Sequence, residues 1–500
     1  MVKVKFDTPE VRPYPVIPIL KQDSMKGDGP FVAKPPMQAA LGYPGELVDN
    51  WQEVAIEKMG DLLGKYRSLR VYLDSCVKCG ACTDKCHYMQ GTQDPKNMPV
   101  ARQDLLRQVY RRYFTVAGKL FPKLVGAKDL TKDVLDDWYN YYHQCSQCRR
   151  CSVYCPYGID TADISMAARE ILDTVGKGQK YCNEIIGKVF KIGNNLGLPE
   201  PALRDTLEGI EEDIKDETGV DVRLPLDVEG ADILLVTPSA DFFAEPHVDG
   251  LIGYAKVFHQ AGASWTVSSY ASEAANFGLF IGSYENMREI SLRIRKAAID
   301  LKVKRIVFGE CGHAWRVGYS FLNTLAGPFD FLDQRYPIPQ HICEYTYDLI
   351  KQGKLQFDKS KNDDRRMTFH DSCNVARASR MGDIPGGQFM IPRDIIKATC
   401  NHFYDMPADT IHDQTYCCGG GGGLLTDDLM ELRVKGALPR MEALKHVVET
   451  NGVTHLAAIC AICKTQFLKT LPYYGFQMDQ IISLHQLVGD ALILDDNTDN

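Results

Sequence analysis

Thirteen of the seventeen cysteines fall into three groups, and this feature constrains the chain more than any other. Two groups are compact runs, Cys76 to Cys86 and Cys145 to Cys155, each with the spacing Cys-x2-Cys-x2-Cys-x3-Cys. The third group is dispersed and consists of Cys373, Cys417, Cys418, Cys460 and Cys463. Regular spacing in a chain of 500 residues, whose first residues form no apolar leader, indicates metal sites in a reducing compartment rather than disulfides.

The overall composition is that of a globular protein with sizeable cores, because 45% of the residues are hydrophobic. The formal net charge of −8 argues against nucleic acid as a partner. No run of about 18 apolar residues occurs, so we expect no transmembrane helix. We therefore expect a cytoplasmic, multidomain protein.

The first part of the chain predicts an extended arm and a helical domain. Residues 1–45 contain eight prolines, which exclude a regular helix or a central strand. This segment is either a floppy tail or an extended arm on a partner subunit. Residues 46–215 predict one mainly helical domain, with helix-like spacing over 46–70 and 100–124 and a helix capped by Asp160 or the threonine after it. The basic residues of 100–124 form either a solvated face or a docking patch for an acidic partner or a membrane surface.

From about residue 228 buried strands alternate with helices, which indicates α/β units. The predicted strands lie in 231–239, 304–310, 367–372 and 453–459. The predicted helices include 287–301 and 430–448. We divide this region into a first unit, residues 225–355, and a second unit, residues 360–495.

The two α/β units show signs of an internal duplication. Cys460 and Cys463 follow a strand in the second unit, whereas Cys311 and Ala314 follow a strand in the first. The Tyr-Cys-Cys sequence at 416–418 has a counterpart at 270–272, in which alanine and serine replace both cysteines. Ala240 lies opposite Cys373 in the same comparison. The first unit is then a degenerate copy that retains only Cys311 of the five matched cysteine positions.

Both compact runs have the spacing of bacterial two-cluster ferredoxins, in which the fourth cysteine of each run serves the other cluster. We therefore expect two cubane 4Fe-4S clusters. One is held by Cys76, Cys79, Cys82 and Cys155, and the other by Cys145, Cys148, Cys151 and Cys86. Pro156 follows the second run as usual, while His87 stands where a proline is expected after the first. Zinc is the alternative, although zinc sites favour two separated cysteine pairs.

The dispersed group supplies five thiolates, one more than a cubane needs. Glycines 419–423 provide backbone freedom and close approach beside the adjacent pair Cys417 and Cys418. They are not a phosphate-binding loop, because no Gly-Lys-Ser or Gly-Lys-Thr sequence follows them. The alternative is a zinc or other structural site.

The dispersed group resembles the cysteine-rich CCG motif of heterodisulfide reductase catalytic subunits. The matching residues are Cys373, Cys417, Cys418, Gly419, Cys460 and Cys463. Together with the ferredoxin runs, the layout is similar to the fused, membrane-associated HdrD-like form. Segments 310–315 and 273–282 are similar to the DsrK-type subgroup, found in the sulfite-reduction-associated membrane complex of sulfate reducers. The resemblance covers roughly residues 45–490.

This resemblance implies that the five dispersed cysteines hold a noncubane 4Fe-4S cluster that reduces a disulfide or trisulfide. It implies one such cluster rather than two, because the first unit retains only Cys311 of the motif cysteines. The implied substrate is carried by a small sulfur-carrier protein, DsrC-like, in dissimilatory sulfate or sulfite reduction. The implied electron source is a quinol, through a membrane cytochrome b subunit and other subunits of the complex. The chain is then peripheral, on the cytoplasmic side of the inner membrane.

Three residues are candidates for direct roles in catalysis. Pseudo-symmetry of the two units predicts that Cys311 lies near the third site, as an extra ligand or a substrate-facing thiol. His313 and His370 are proton-donor candidates, and a satisfied core histidine is the alternative for each. The remaining cysteines, Cys182, Cys343 and Cys400, are expected to be buried structural thiols.

Two other functions remain open at this point. One is the iron–sulfur electron-transfer subunit of a lactate or glycolate dehydrogenase, which pairs with a flavoprotein. The other is an electron-transfer or assembly scaffold without chemistry at the third site.

Overall fold

The computed structural model describes residues 45–494. The predicted arm, residues 1–45, lies outside the described residues except for Gly45. Within residues 45–494, no helix is both long enough and apolar enough to cross a membrane.

The first part of the described chain is helical, as predicted. Its ten helices are α1 (Trp51–Lys65), α2 (Arg67–Ser75), α3 (His87–Thr92), α4 (Pro99–Phe114), α5 (Val116–Leu120), α6 (Lys132–His143), α7 (Arg150–Val153), α8 (Thr161–Thr174), α9 (Lys180–Ile192) and α10 (Glu200–Thr218). Two predicted helices are each divided in two, because Tyr66 and Thr115 have extended backbones. The predicted cap is confirmed, since the Asp160 side chain accepts a hydrogen bond from Ala162 N at the start of α8.

The second part of the described chain alternates strands with helices, as predicted. Its strands are β1 (Ile233–Val236), β2 (Trp265–Thr266), β3 (Arg305–Phe308), β4 (Gln340–His341), β5 (Met367–His370), β6 (His455–Ala458) and β7 (Ile481–Ser483). Its helices are α11 (His247–Gln260), α12 (Ala275–Ile281), α13 (Tyr284–Asp300), α14 (Gly312–Ser320), α15 (Leu322–Ala326), α16 (Ile342–Lys351), α17 (Cys373–Ala378), α18 (Gly387–Thr399), α19 (Met430–Asn451), α20 (Ala461–Thr470) and α21 (Leu484–Ala491).

The strands form two separate parallel sheets, with the orders β2-β1-β3-β4 and β5-β6-β7. In both sheets an inner strand leads into a helix that carries site residues, α14 after β3 and α20 after β6. In both, the following edge strand leads directly into a further helix, α16 after β4 and α21 after β7. Because all strands are parallel, their carboxyl ends in each sheet lie at one edge, where ligands usually bind.

The strand registers agree with the predicted correspondence between the two units. The pairs are Ile233 with Arg305 in the first sheet and Met367 with His455 in the second. When Cys311 is matched with Cys460, these registers put Ala240 opposite Cys373. The duplication itself stays a prediction, as does the division into domains.

The two units pack on each other through reciprocal helix pairs. Helix α11 of the first unit packs on α21 of the second, and α16 of the first packs on α18 of the second. One apolar core runs through both units and includes the buried face of α10, with Leu203 and Leu207. Helix α10 falls within the predicted helical domain, 46–215, but its apolar residues pack against the α/β core.

Candidate metal centres

The first compact run forms a partly exposed loop around a small cavity. The cavity is lined by Cys76, Cys79, Cys82, Cys151 and Cys155, among others. Cys79 is exposed, and the three other predicted ligands of the first site are half-buried. Burial raises the pKa of the Cys82 thiol to about 11, and the nearby thiols of Cys155 and Cys76 add to this rise. The structure therefore brings together the four cysteines that were predicted to hold one cluster.

The second predicted set also comes together, at greater depth. Cys86 is buried, and Cys145, Cys148 and Cys151 are half-buried. Burial raises the pKa of the Cys151 thiol well above its ordinary value, and the charges of its three predicted partner thiols raise it further. Arg102 lies beside this set. Burial lowers the pKa of this arginine, but the charges of Cys145 and Cys86 outweigh that effect and raise its pKa above the ordinary value.

The third site joins segments that are far apart in the sequence. Cys373 begins α17 after β5, and Cys460 directly precedes α20 after β6. Contacts within hydrogen-bonding reach link the thiols in one continuous series. The series is Cys373, Cys417, Cys418, Cys463, Cys460 and Cys311. All six thiols are at most 2% exposed, so the structure assembles the dispersed cysteines into one buried cluster.

Cys311 joins this cluster, in the position that pseudo-symmetry predicts. Its thiol lies within hydrogen-bonding reach of Cys460 and accepts a hydrogen bond from Ala314 N at 3.4 Å. The first and second units thus meet at the third site. The role of Cys311 at this site remains a proposal.

Two thiols of the third site favour the thiolate form. Hydrogen bonds from Cys373 and Cys418 hold the pKa of Cys417 well below its ordinary value. Burial alone raises the pKa of Cys460, but hydrogen bonds from its two neighbouring thiols and from His313 reverse that effect and hold this pKa well below its ordinary value. Because the thiolate is the form that binds metal, the site has the donor chemistry of a metal centre.

The two predicted histidines occupy different environments. His313 Nδ1 lies 3.7 Å from Cys460 Sγ, while its Nε2 is buried without a hydrogen-bond partner. His370 packs edge-on against Phe467, and both of its ring nitrogens are buried without a partner. Burial and then the charge of Arg440 lower the pKa of His370 to about 3, so its imidazole is neutral near pH 7.

The glycine run holds the third site against the second compact run. Gly419 has a φ of +95°, and a Cβ there would lie 2.9 Å from Arg433 O in α19. A Cβ on Gly422, whose φ is +76°, would lie 2.8 Å from Cys145 O. Close backbone approach is therefore the physical reason for glycine at these positions, as the sequence predicted.

His87 connects the second and third sites, and sequence analysis missed this role. Its Nδ1 lies 2.7 Å from Gly436 O in α19, and its Nε2 lies 2.7 Å from Ser146 Oγ. The ring is also within hydrogen-bonding reach of Cys148 and Cys417, one thiol from each site. The available signal was the departure from proline after Cys86, which the sequence shows but does not explain.

A second group that sequence analysis missed is a buried ionic network beside the third site. Lys464 Nζ lies 3.1 Å from Glu310 Oε2, and both side chains are fully buried. Glu310 also accepts hydrogen bonds from Ser483 Oγ at 2.5 Å and from His485 N at 2.9 Å. Glu310 precedes Cys311 and Lys464 follows Cys463, so this ion pair joins the two units at the cluster.

The residues present fit iron–sulfur clusters by their donor chemistry. Cysteine thiolates line each site, and the third site also contains buried histidine nitrogens without partners. Within residues 45–494, no group of three or more His, Cys, Asp or Glu side chains is arranged to hold a single metal ion.

A helical domain with two four-cysteine sets, joined to α/β units that share a buried thiol cluster, defines an iron–sulfur oxidoreductase with several centres. Residues 72–159, which include all eight cysteines of the compact runs, match the family model described as a 4Fe-4S dicluster domain. The two predicted 4Fe-4S sites therefore lie in a recognised two-cluster domain.

Full-length comparisons identify the family. The chain is 43% identical over 479 residues to Hdr-like menaquinol oxidoreductase iron-sulfur subunit 2 of Archaeoglobus fulgidus, covering 90% of this chain and 85% of that protein. It is 23% identical over 438 residues to a subunit of the dihydromethanophenazine:CoB–CoM heterodisulfide reductase of Methanosarcina mazei, covering 85% of this chain and 95% of that protein. No solved structure matches the chain. The chain belongs to the family of heterodisulfide reductase-like iron–sulfur subunits, and it is an oxidoreductase.

Proposed function

We propose that this chain reduces a sulfur–sulfur bond at the third site, with electrons that enter through the two ferredoxin-type sites. For a disulfide, two electrons and two protons convert the bond into two thiols. Because the ferredoxin-type sites pass electrons singly, two successive transfers are needed. The substrate is a disulfide or trisulfide, on a small sulfur-carrier protein of the DsrC type. The chain would serve dissimilatory sulfate or sulfite reduction.

The observation that carries this proposal is the placement of the third thiol cluster directly beside the second ferredoxin-type site. His87 lies within reach of Cys148 and Cys417, and Arg377 Nε donates to Cys148 O at 2.5 Å. The same arginine donates through Nη1 to Thr415 O at 2.8 Å, two residues before Cys417. Two sites joined by single side chains are close enough for rapid electron transfer.

Exposure of the three sites supports the proposed direction of electron flow. Cys79 in the first site is exposed, the second site is deeper and the third is wholly buried. A donor protein can therefore approach the first site, while the buried third site keeps water away from the reacting sulfur. The exposed Val77 and Tyr157, on segments that line the first cavity, are suited to contact such a donor.

The cysteines that would hold the three clusters are the ligand sets predicted from the sequence. Cys76, Cys79, Cys82 and Cys155 would hold one cubane, and Cys86, Cys145, Cys148 and Cys151 the other. Cys373, Cys417, Cys418, Cys460 and Cys463 would hold a noncubane 4Fe-4S cluster. When bound, that cluster would supply an iron that accepts one substrate sulfur and a store for single electrons.

The chain's own residues would position the substrate and supply a proton. Cys311 lies at the end of the thiol series, where it would face the substrate or complete the ligand set. His313 is the better proton donor, because its Nδ1 already lies 3.7 Å from Cys460 Sγ. His370 is neutral near pH 7, since burial and Arg440 lower its pKa to about 3. We therefore assign His370 to packing against Phe467 rather than to proton donation.

The name of a relative supports the proposed partners. The A. fulgidus protein is named as a subunit of an Hdr-like menaquinol oxidoreductase, so we propose a membrane-bound complex that oxidises a quinol for this chain too. A membrane cytochrome b subunit would pass the electrons on, and the chain would lie on the cytoplasmic side of the inner membrane.

The proposal is tested by metal analysis and electron paramagnetic resonance of the purified chain. Three 4Fe-4S clusters require about twelve irons per chain. Cys418→Ser should lower iron toward about eight and remove the signal that responds to added thiols, while the two cubane signals remain. The matched control is Cys400→Ser, because Cys400 is buried but bonds only to the carbonyls of Arg365 and His402.

Three outcomes would contradict the proposal. About eight irons in the unaltered chain, with zinc in the remaining site, would exclude a reductive third cluster. Loss of the cubane signals in Cys418→Ser, with the thiol response retained, would show that the ligand partition is wrong. If all clusters are present but reduced viologen and the chain fail to reduce any disulfide, the dehydrogenase or scaffold alternatives gain support.

A further inference from the structure

The four most exposed large apolar side chains among the described residues, 45–494, lie between positions 116 and 124. They are Leu124, Val116, Leu120 and Phe121, with exposed fractions of 85%, 75%, 66% and 60%. All belong to residues 115–128, which follow α4 and contain α5; we call this segment the tip. A cluster of exposed apolar side chains on a folded protein marks a contact surface.

The exposure is fixed by the backbone of the tip rather than by a loose chain. Arg111 Nη1 donates to Val125 O at 2.8 Å, and Lys128 N donates to Gln108 O at 3.1 Å. A Cβ on Gly118 would lie 1.8 Å from Arg111 O, so α5 is pressed against the end of α4. The apolar side chains are therefore held away from the core by hydrogen bonds and close packing.

The charges around the apolar side chains are positive. Lys119, Lys123 and Lys128 are exposed. The nearby carboxylate of Asp129 pairs with Arg112 at 2.6 Å, which leaves the three lysines as the dominant charges of the tip. This local positive charge contrasts with the net charge of −8 on the whole chain.

We propose that the tip docks on the surface of a lipid bilayer that contains anionic headgroups. The apolar side chains would enter the boundary between headgroups and acyl chains, and the lysines would lie against the phosphates. Lysines that surround exposed apolar residues favour a lipid surface over a protein groove, because lysine is depleted in the core of protein interfaces.

Docking of the tip would also place the first ferredoxin-type site near the membrane. Helix α4 begins beside this site, where Val100 lines the cavity, and Arg107 Nη1 donates to Cys76 O at 2.8 Å. From Val100 to Phe114 the helix spans about 20 Å at 1.5 Å per residue. A docked tip would therefore hold the first site a short distance above the headgroups. The lipid contact does not depend on the reaction proposed for the third site.

The experiment uses the full, cluster-loaded chain in vesicle flotation. The vesicles contain phosphatidylcholine alone or phosphatidylcholine with phosphatidylglycerol. We expect binding to the anionic vesicles that weakens as salt is added. The double variant Leu120→Ser with Leu124→Ser should bind these vesicles at least about tenfold more weakly, a change of about 1.4 kcal/mol. The control, Ile338→Ser with Ile384→Ser, alters two apolar residues that are 52% and 49% exposed outside the tip and should bind like the unaltered chain.

Charge and insertion are measured separately. Lys119→Glu with Lys123→Glu should also weaken binding at least about tenfold, whereas the charge-matched control Lys354→Glu with Lys361→Glu should have a much smaller effect. The emission that Phe121→Trp adds to that of the four native tryptophans should shift to the blue, and be quenched by brominated lipid, only when anionic vesicles are present.

Four results would overturn the proposal. These are no binding of the unaltered chain, equal binding to both kinds of vesicle, equal binding by the tip variants, and an unshifted emission of Phe121→Trp. A tip that instead docks on another protein would give the first of these results with the chain alone.

Discussion

The two ferredoxin-type sites and the third site use the same ligand atom but are built in opposite ways. Each compact run supplies most of one site from 11 consecutive residues, and one cysteine crosses to the other site. The third site collects its thiols from the ends of β3, β5 and β6 and from the loop before α19. The compact sites reach the surface at Cys79, whereas the third site is at most 2% exposed.

This difference shows how each kind of site depends on the fold. Local spacing brings the ligands of a compact run together in any chain that forms the loop. Such a site does not depend on a buried core for its assembly, so partial exposure is tolerated. The third site is complete only when the two sheets and the helices packed between them are correctly placed, because Cys311 comes from the first unit and the other five thiols come from the second. Changes far from its cysteines should therefore affect the third site, while the compact sites remain.

The largest effect is expected where the two α/β units are joined by a buried ion pair. Lys464→Met leaves the Glu310 carboxylate buried without its ammonium partner, and such a loss costs about 3–5 kcal/mol. Hydrogen exchange of β3 and β6 should report this decrease in local stability. We expect the third-site signal to fall while the cubane signals persist.

The matched control for this change lies on the same helix. Lys469 pairs with Asp427 at 3.8 Å and is 26% exposed, so Lys469→Met should cost about 1 kcal/mol or less. Equal effects of the two substitutions would show that the buried ion pair does not hold the units together.

The next effect concerns the contact between the helical domain and the third site. Helix α3 crosses α19 closely, and a Cβ on Gly91 would lie 1.7 Å from Lys435 O. Gly91→Ala must push the helices apart and should lower the free energy of unfolding by about 1–3 kcal/mol. Thermal unfolding measures the change.

Gly64→Ala serves as the control with the opposite sign. Gly64 lies in α1, and a Cβ there would have nothing within 4 Å. Alanine should therefore stabilise the helix by about 0.5–1 kcal/mol. A stabilising effect of Gly91→Ala as well would contradict the close approach of α3 to α19.

The third prediction addresses Cys311, the cysteine that the first unit retains. Cys311→Ala should lower disulfide or trisulfide reduction at least about tenfold, or about 1.4 kcal/mol in the barrier. Iron should fall little, because the five ligand cysteines of the second unit still hold the cluster. Turnover per intact cluster is the decisive measurement.

Cys343→Ala is the matched control for this loss of a buried thiol in the first unit, since Cys343 is fully buried in the apolar core. It should keep its turnover per cluster. Unaltered turnover in Cys311→Ala would instead class Cys311 with the structural cysteines.

The smallest effect is expected at the side chain that connects the two kinds of site. His87→Gln removes a ring within hydrogen-bonding reach of Cys148 and Cys417. A lost hydrogen bond of about 0.5–1.5 kcal/mol corresponds to roughly 20–65 mV for a one-electron couple. Redox titration followed by electron paramagnetic resonance should show both potentials becoming more negative.

His143→Gln is the control, because His143 is an equally buried histidine of the helical domain that is not placed between the sites. In this variant the reduction potentials of the second and third sites should stay unchanged. A shift in His143→Gln as large as that in His87→Gln would mean that the connection has no special role.

Much of the fold was predictable from the sequence because the signals were local. The alternation of strands and helices, the cap at Asp160 and the two compact cysteine runs each depend on residues that are close in the chain. The breaks at Tyr66 and Thr115 were not predictable, because the helix-like spacing of apolar residues continues through both positions although the helical backbone is interrupted there. The placement of α10 was also missed, because an amphipathic helix does not indicate which core covers its apolar face.

For the candidate sites, the amino-acid sequence establishes which thiols are available and how the compact runs are spaced. The contacts of Cys311 with Cys460, of His87 with two sites and of Glu310 with Lys464 become visible in the folded chain alone. They could not be predicted because the residues that form them are far apart in the sequence. Cys311 and Cys460 are brought together by sheet registers and by the reciprocal packing of helices between the two units. Those contacts arise from burial of apolar surface across the whole chain, which no local pattern encodes.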